Sequence, residues 1–313
     1  MLDYGRILTN SATLFWQQRR AIWPILLLFS LSGLLAGVLN LWIVFDRQLR
    51  LWLDPDFWLD FLLAGEPLSP QWVGVGFTAV LVVAFSYWLL ITFAEGGLVG
   101  LVLSVQQGKV VGKTAVFRWG RRLLWRFLAI DAIIFIPPFL LLFLALLIPS
   151  VAVVATVWLE PQAVSYEMLA LPLLIGATCS CLLLLVALPL LPLTLVWRTL
   201  ALRQTAVSLN QAYQVYQDPH TIRAAIGQSW QVARRRPVDI FILAVLLWGA
   251  VSITHILLNS LTWPLFALLA PLPGSLSLPL AILLILLRTI PQAVVQGYFI
   301  VAWTVGYTAL VAE

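Results

Sequence analysis

Six long apolar runs, over residues 22–45, 72–105, 127–157, 168–200, 238–258 and 278–311, leave this chain of 313 residues few ways to fold. About 20 successive apolar residues cross the ~30 Å hydrocarbon layer as a helix, because a helix satisfies its backbone polar groups within itself. Charge points the same way. Only 10% of the residues are Asp, Glu, Lys or Arg, and 62% are hydrophobic, for a mean hydropathy of +1.00. Soluble domains carry about 25% charged residues because a folded surface needs them. The expectation is an all-α, polytopic membrane protein: six transmembrane helices in a single integral membrane domain over 1–313.

The net charge of +5 would suit a nucleic-acid partner, but the placement of the basic residues argues against one. They gather beside the apolar runs, as topology determinants do. Arg6, Arg19 and Arg20 precede the first run. Lys109, Lys113, Arg118, Arg121, Arg122 and Arg126 lie between the second and third, and Arg198, Arg203, Arg223, Arg234, Arg235 and Arg236 around the fourth-to-fifth connection. The opposite loops hold only Arg47 and Arg50, and the loop over 46–71 is acidic, with Asp46, Asp54, Asp56, Asp60 and Glu66. The positive-inside rule then places both termini in the cytoplasm. The first run is long enough to span, so it reads as an uncleaved anchor rather than a signal peptide.

Three basic amphipathic segments precede the odd-numbered runs. In the middle one, over 112–135, Val116, Phe117, Gly120, Leu123, Leu124 and Phe127 share a helical side opposite Arg118, Arg121, Arg122 and Arg126. In the first, over 1–21, Ile7, Leu8, Ser11, Leu14 and Phe15 oppose Thr13, Gln17 and Arg20. In the third, over 221–236, Ile222, Ala225, Ile226, Ser229, Trp230 and Ala233 oppose Gln228, Gln231, Arg234 and Arg235. Such helices lie at a membrane surface, arginines toward phosphate and apolar face toward the acyl chains. Trp16, Trp119 and Trp230 mark similar points, each followed by an arginine pair. The order of surface helix, odd span, outer loop and long even span predicts a threefold repeat of helical hairpins, over 1–108, 109–217 and 218–313. Arg19, Arg20, Arg118, Arg121, Arg122, Arg126, Arg234, Arg235 and Arg236 are the candidate contacts to anionic headgroups or to a partner.

This layout, with stretches such as GQSWQVARRRPVDIFILAVLL and FIVAWTVGYTALV, resembles the six-helix membrane domain associated with bacterial glycerophosphoryl diester phosphodiesterases and with related stand-alone membrane proteins of unknown function. The resemblance implies the membrane part alone. There is no room for the soluble phosphodiesterase barrel, and no catalytic residue carries over.

Ionisable groups at membrane depth are functional hypotheses by default. Glu95, before Gly96 and Gly97, and Asp131 fall near the cytoplasmic face, where Arg118, Arg121, Arg122 and Arg126 are candidate ion-pair partners. Two readings stand: a network tying surface helices to spans, or a proton or cation site at Glu95. His255 and Arg288 fall in the outer half, where Arg288 either snorkels toward the acidic loop or lines a polar cavity with His255. Gly33 and Gly37 have the spacing for close helix approach in lipid. Pro137 and Pro138 predict a kink. Cys179 and Cys181, two residues apart on a helix, point to opposite sides and read as small buried side chains. The proline-rich stretch 261–277 reads as an interfacial or re-entrant loop.

Catalytic constellations are scarce. His220 and His255 fall on opposite sides of the membrane, and no phosphate-binding lysine loop, nucleophile elbow or zinc-protease motif occurs. The expected function is a non-enzymatic module without cofactor or metal that engages anionic lipid, a membrane-protein partner or a second copy of itself. The alternative is a small-solute or ion transporter using Glu95 and Asp131 inside and Arg288 and His255 outside.

Overall fold

A computed structural model of the chain describes residues 2–45, 70–109, 111–145, 148, 166–215, 222–269 and 274–312. Among these, the regular elements are helices and no strand occurs: α1 Tyr4–Gln17, α2 Arg19–Phe45, α3 Pro70–Gln106, α4 Lys113–Ile134, α5 Ile136–Ala145, α6 Tyr166–Val215, α7 Ile222–Arg235, α8 Pro237–Leu269 and α9 Gly274–Ala312. Four stretches are long and apolar enough to cross a membrane: Thr78–Gln106, Leu174–Asn210, Pro237–Phe266 and Pro279–Ala312. The pair α4 and α5, bent by 44° at Phe135 just before the two prolines, makes a fifth when counted as one span, so four to five of the six expected spans are found among the described residues. The acidic loop over 46–69 and the second half of the expected third span, from 149 to 157, lie outside the described residues, as does the break at Asp218 and Pro219.

The chain forms two compact units, one of Met1–Leu41, Val80–Ile130 and Thr199–Glu313, the other of Trp42–Ala79 and Asp131–Arg198. The first contains all three surface helices. They begin at positions 4, 113 and 222, a constant step of 109 residues. Burial follows the same step: Ile7, Val116 and Ala225 are buried, and so are Ser11, Gly120 and Ser229.

Local chemistry sets the ends of these helices. Asp3 caps α1 by accepting the Arg6 N–H at 2.9 Å. Gly108, at φ +74°, ends α3 in a left-handed turn. Its N–H donates to the Val105 carbonyl at 2.9 Å and the Lys109 N–H to the Ser104 carbonyl at 3.1 Å, which satisfies carbonyls the helix leaves open.

The apolar faces of the surface helices pack in part on protein. On α4, Val116, Leu123 and Phe127 are fully buried, while Arg118, Arg121 and Arg122 are exposed. Glycines let α4 lie directly on α3. A Cβ at Gly100 would fall 2.2 Å from Cγ of Trp119, and one at Gly120 would fall 2.8 Å from the Phe93 carbonyl oxygen. The α1 helix lies on α9 in the same way, with Phe15 edge-on to Tyr298 at 6.2 Å and near Gly297. The glycine-lined seats on α3 and α9 thus take part of the apolar faces of α4 and α1. The Gly33 and Gly37 pair behaves as the spacing predicts, closing on Thr289 and Ile285 of α9.

The end of α6 is enclosed by protein: Leu200, Ala201, Leu202, Arg203, Thr205, Ala206 and Ser208 are all buried. Two further expectations change. The α8 helix continues to Leu269 and α9 starts at Gly274, so most of 261–277 is helical and only 270–273 lies outside the described residues. Cys179 and Cys181 are exposed, not buried, since α6 offers most of its apolar surface outward between 174 and 198.

Gly120→Ala and Gly100→Ala are expected to destabilise by about 1–3 kcal/mol, the usual cost of overpacking. Gly227→Ala, where a Cβ meets nothing within 4 Å, is expected to be neutral or stabilising. Tryptophan-monitored unfolding in mixed micelles separates the two classes, and equal midpoints for all three would refute the close approach.

Candidate functional site

A charge placed among apolar helices must be neutralised or carried to water. Glu95 on α3 and Arg203 on α6 are neutralised by each other: Nη1 donates to Oε1 at 2.7 Å, with side chains 7% and 0% exposed. The same Nη1 also donates to the Thr199 carbonyl at 3.2 Å. In the other unit Asp131 meets Arg198 in a two-point fork, Nε to Oδ1 at 2.5 Å and Nη2 to Oδ2 at 3.0 Å. A planar guanidinium matches a carboxylate in that geometry, which a lysine does not.

These partners differ from the expected ones, Arg118, Arg121, Arg122 and Arg126. Helical rotation is the reason. Arg126 and Asp131, five residues apart on α4, point about 140° apart at 3.6 residues per turn. On α3 it is Gly96, not Glu95, that turns toward α4 at Gly120 and Leu123. Arg198 and Arg203 entered the sequence reading only as topology charges. The signal for their role is the segment WRTLALRQTAVS, where two arginines stand in a run that is apolar or small apart from Gln204, in a chain whose other apolar runs hold the two solitary carboxylates Glu95 and Asp131.

Around Glu95 and Arg203 the first unit is stitched by polar side chains. Tyr307 of α9 donates its hydroxyl to Gln204 Oε1, and Gln204 Nε2 donates to Gln228 Oε1 on α7. Gln106 of α3 donates to Thr308 of α9 at 2.9 Å, and Trp119 of α4 to Ser104 of α3 at 3.1 Å. The helices α3, α6 and α9 are therefore joined pairwise by polar contacts. At the rim, Tyr4 donates to Asp239 Oδ1 at 2.7 Å and Tyr298 to the Leu8 carbonyl at 3.2 Å, holding α1 to α8 and α9. Desolvation and the Asp239 carboxylate push the Tyr4 phenol up to about 12, so it stays a donor at neutral pH.

The outer face of the first unit is cationic and aromatic. Arg19, Arg20, Arg118, Arg121, Arg122, Arg234 and Arg235 are exposed, and Arg126 and Arg236 half-buried. Arg236 lies 3.7 Å from Asp239. The Arg19 guanidinium stacks 4.9 Å from the ring centre of Trp16, and Arg234 lies 5.2 Å from that of Trp230. Trp119 does not share this role, since its ring is turned onto Gly100. Trp125, 109 positions after Trp16, is the outward tryptophan of α4, at 74% exposed.

His255 and Arg288 are both half-buried. The His255 Nδ1 is 3.0 Å from the Val251 carbonyl of its own helix, the geometry of a ring N–H donor. Arg288 has no hydrogen bond or ion pair among the described residues, and the acidic loop expected to meet it lies outside them. No group of three or more His, Cys, Asp and Glu side chains suited to a metal occurs among the described residues.

Removing one member of the Glu95–Arg203 pair leaves a buried charge uncompensated. Glu95→Leu and Arg203→Met are each expected to lower stability by about 3–5 kcal/mol, while the two combined restore much of it. Denaturation in mixed micelles measures the cycle, and additive losses in the double variant would show that the two side chains do not act as a pair.

Comparison with protein-family models, with curated proteins and with solved structures finds no match to this chain.

Proposed function

We propose that this protein is a non-enzymatic six-span module of the bacterial cytoplasmic membrane, with both termini cytoplasmic, that engages anionic lipid headgroups through a ring of arginine and tryptophan. One observation carries the reading. The three surface helices give inner positions to protein packing and leave arginines with exposed Trp16, Trp125 and Trp230 on the outside. A guanidinium lying on an indole keeps its N–H edges free for phosphate oxygens, and both side chains favour the headgroup layer.

A threefold repeat of hairpins is part of the proposal. The 109-residue step of the surface helices and of their buried positions supports it. The docking order supports it too. Each surface helix contacts the long even span that precedes it, α4 on α3 and α7 on α6, and α1 closes the circle on α9. The likeness to the membrane domain of glycerophosphoryl diester phosphodiesterases belongs to the same proposal and adds no chemistry to it.

Each basic residue beside an anionic surface is worth about 1 kcal/mol. Replacing Arg121, Arg122, Arg234 and Arg235 together by glutamine is therefore expected to lower phosphatidylglycerol retention by roughly tenfold or more at low salt. Native mass spectrometry of the purified protein reads this directly. A lipid profile identical to that of the unaltered protein would rule the reading out.

A further inference from the structure

The three surface helices are not held alike. On α4 three large side chains are fully buried, Val116, Leu123 and Phe127, and the Trp119 ring is seated on Gly100. On α1 the buried Ile7 is joined by buried Leu2 just before it and by the bonds of Tyr4 and Tyr298. On α7 the only buried side chains are Ala225 and Ser229, while Ile222, Ile226 and Val232 are half-buried. The hold of α7 on α6 includes an amide–amide bond, Gln204 to Gln228. A shallow seat of small residues is cheap to leave, because little apolar surface is uncovered.

The chemistry of α7 names the surface it would leave for. Its sequence, IRAAIGQSWQVARR, has no acidic residue, and Arg223, Arg234 and Arg235 are exposed around Gly227, whose outer side is open. Trp230 is 43% exposed under Arg234. The half-buried isoleucines and valine match the acyl boundary as well as they match protein. We propose that α7 is an exchangeable arm that moves from its seat on α6 to an anionic bilayer surface, with the Gln204–Gln228 bond as its latch. The exchange rests on the headgroup reading above and adds to it which helix responds. Gln204 also receives the Tyr307 hydroxyl and adjoins Arg203, the partner of Glu95. Release of α7 therefore alters the hydrogen bonding of the residue next to the buried ion pair.

Serine at one register position of α7 and α1 provides a matched test, since Ser229 and Ser11 are both fully buried. In protein carrying Cys179→Ser and Cys181→Ser, Ser229→Cys and Ser11→Cys each install one thiol of nearly the same size. The full chain is placed in vesicles of phosphatidylcholine, with or without phosphatidylglycerol, and treated with membrane-permeant N-ethylmaleimide. Modification at position 229 is expected to be several-fold faster with phosphatidylglycerol, and at position 11 unchanged. Arg223→Gln, Arg234→Gln and Arg235→Gln together should abolish the acceleration, and Gln228→Leu should speed modification even in phosphatidylcholine alone. Equal rates at position 229 in the two vesicles would overturn the arm, as would equal acceleration at position 11. An unaltered rate on Gln228→Leu would overturn the latch. Retention of phosphatidylglycerol in mass spectrometry together with an indifferent position 229 would leave the headgroup reading standing and remove only the arm.

Discussion

A carboxylate and a guanidinium enclosed by apolar helices have to meet, and that requirement fixes how α3 and α6 face each other. Successive residues on a helix point about 100° apart, so pairing Arg203 with Glu95 leaves α6 one rotation about its axis. Gln204 then reaches both α9 and α7. A pair of well-packed apolar residues would serve stability as well or better. The ion pair selects one helix rotation among several that grease alone would accept. Asp131 and Arg198 do the same in the second unit, with the fork adding direction to the contact.

With α3 oriented, its glycines become the seat of α4. That helix was legible as amphipathic, and amphipathic helices in membrane proteins are commonly assigned to the lipid interface. Here much of the apolar face rests on α3, with Leu123, Val116 and Trp119 of α4 seated on Gly96, Gly97 and Gly100. The Thr78–Gln106 stretch is accordingly the most enclosed of the apolar spans, 67% buried. What remains outward on the surface helices includes arginine and tryptophan, presented from helices packed on protein. Presentation from a packed frame, rather than insertion of a free amphipathic helix, is the physical basis of the proposed headgroup contact.

The frame is graded. Large buried side chains anchor α4, hydroxyl and aromatic contacts anchor α1, and α7 has only alanine and serine fully buried. Three helices of similar sequence character thus differ in how firmly they are held, and the difference lies in the size of a few inward residues. The helix with the shallowest seat also contains no acid, so the least anchored element is fully complementary to an anionic surface.

Residue chemistry along the chain was enough to show the helical class, four to five of the six expected apolar spans, the break at Phe135 before Pro137 and Pro138, the approach at Gly33 and Gly37, and the faces of the three surface helices except at Phe117 and Trp230, which are exposed. These follow from local periodicity and local sterics, which a linear sequence expresses fully. It was not enough to show that Glu95 belongs to Arg203 and Asp131 to Arg198, because those residues are 108 and 67 positions apart and their meeting depends on helix rotation. Nor did it show that Trp119 points inward while Trp16 and Trp125 point outward, since all three sit beside arginines. Gln204 finds its partners on α7 and α9 only once those helices surround it, whereas Thr205 and Ser208 bond to carbonyls of α6 itself. Periodicity assigns a residue to a face, and only tertiary packing decides what that face meets.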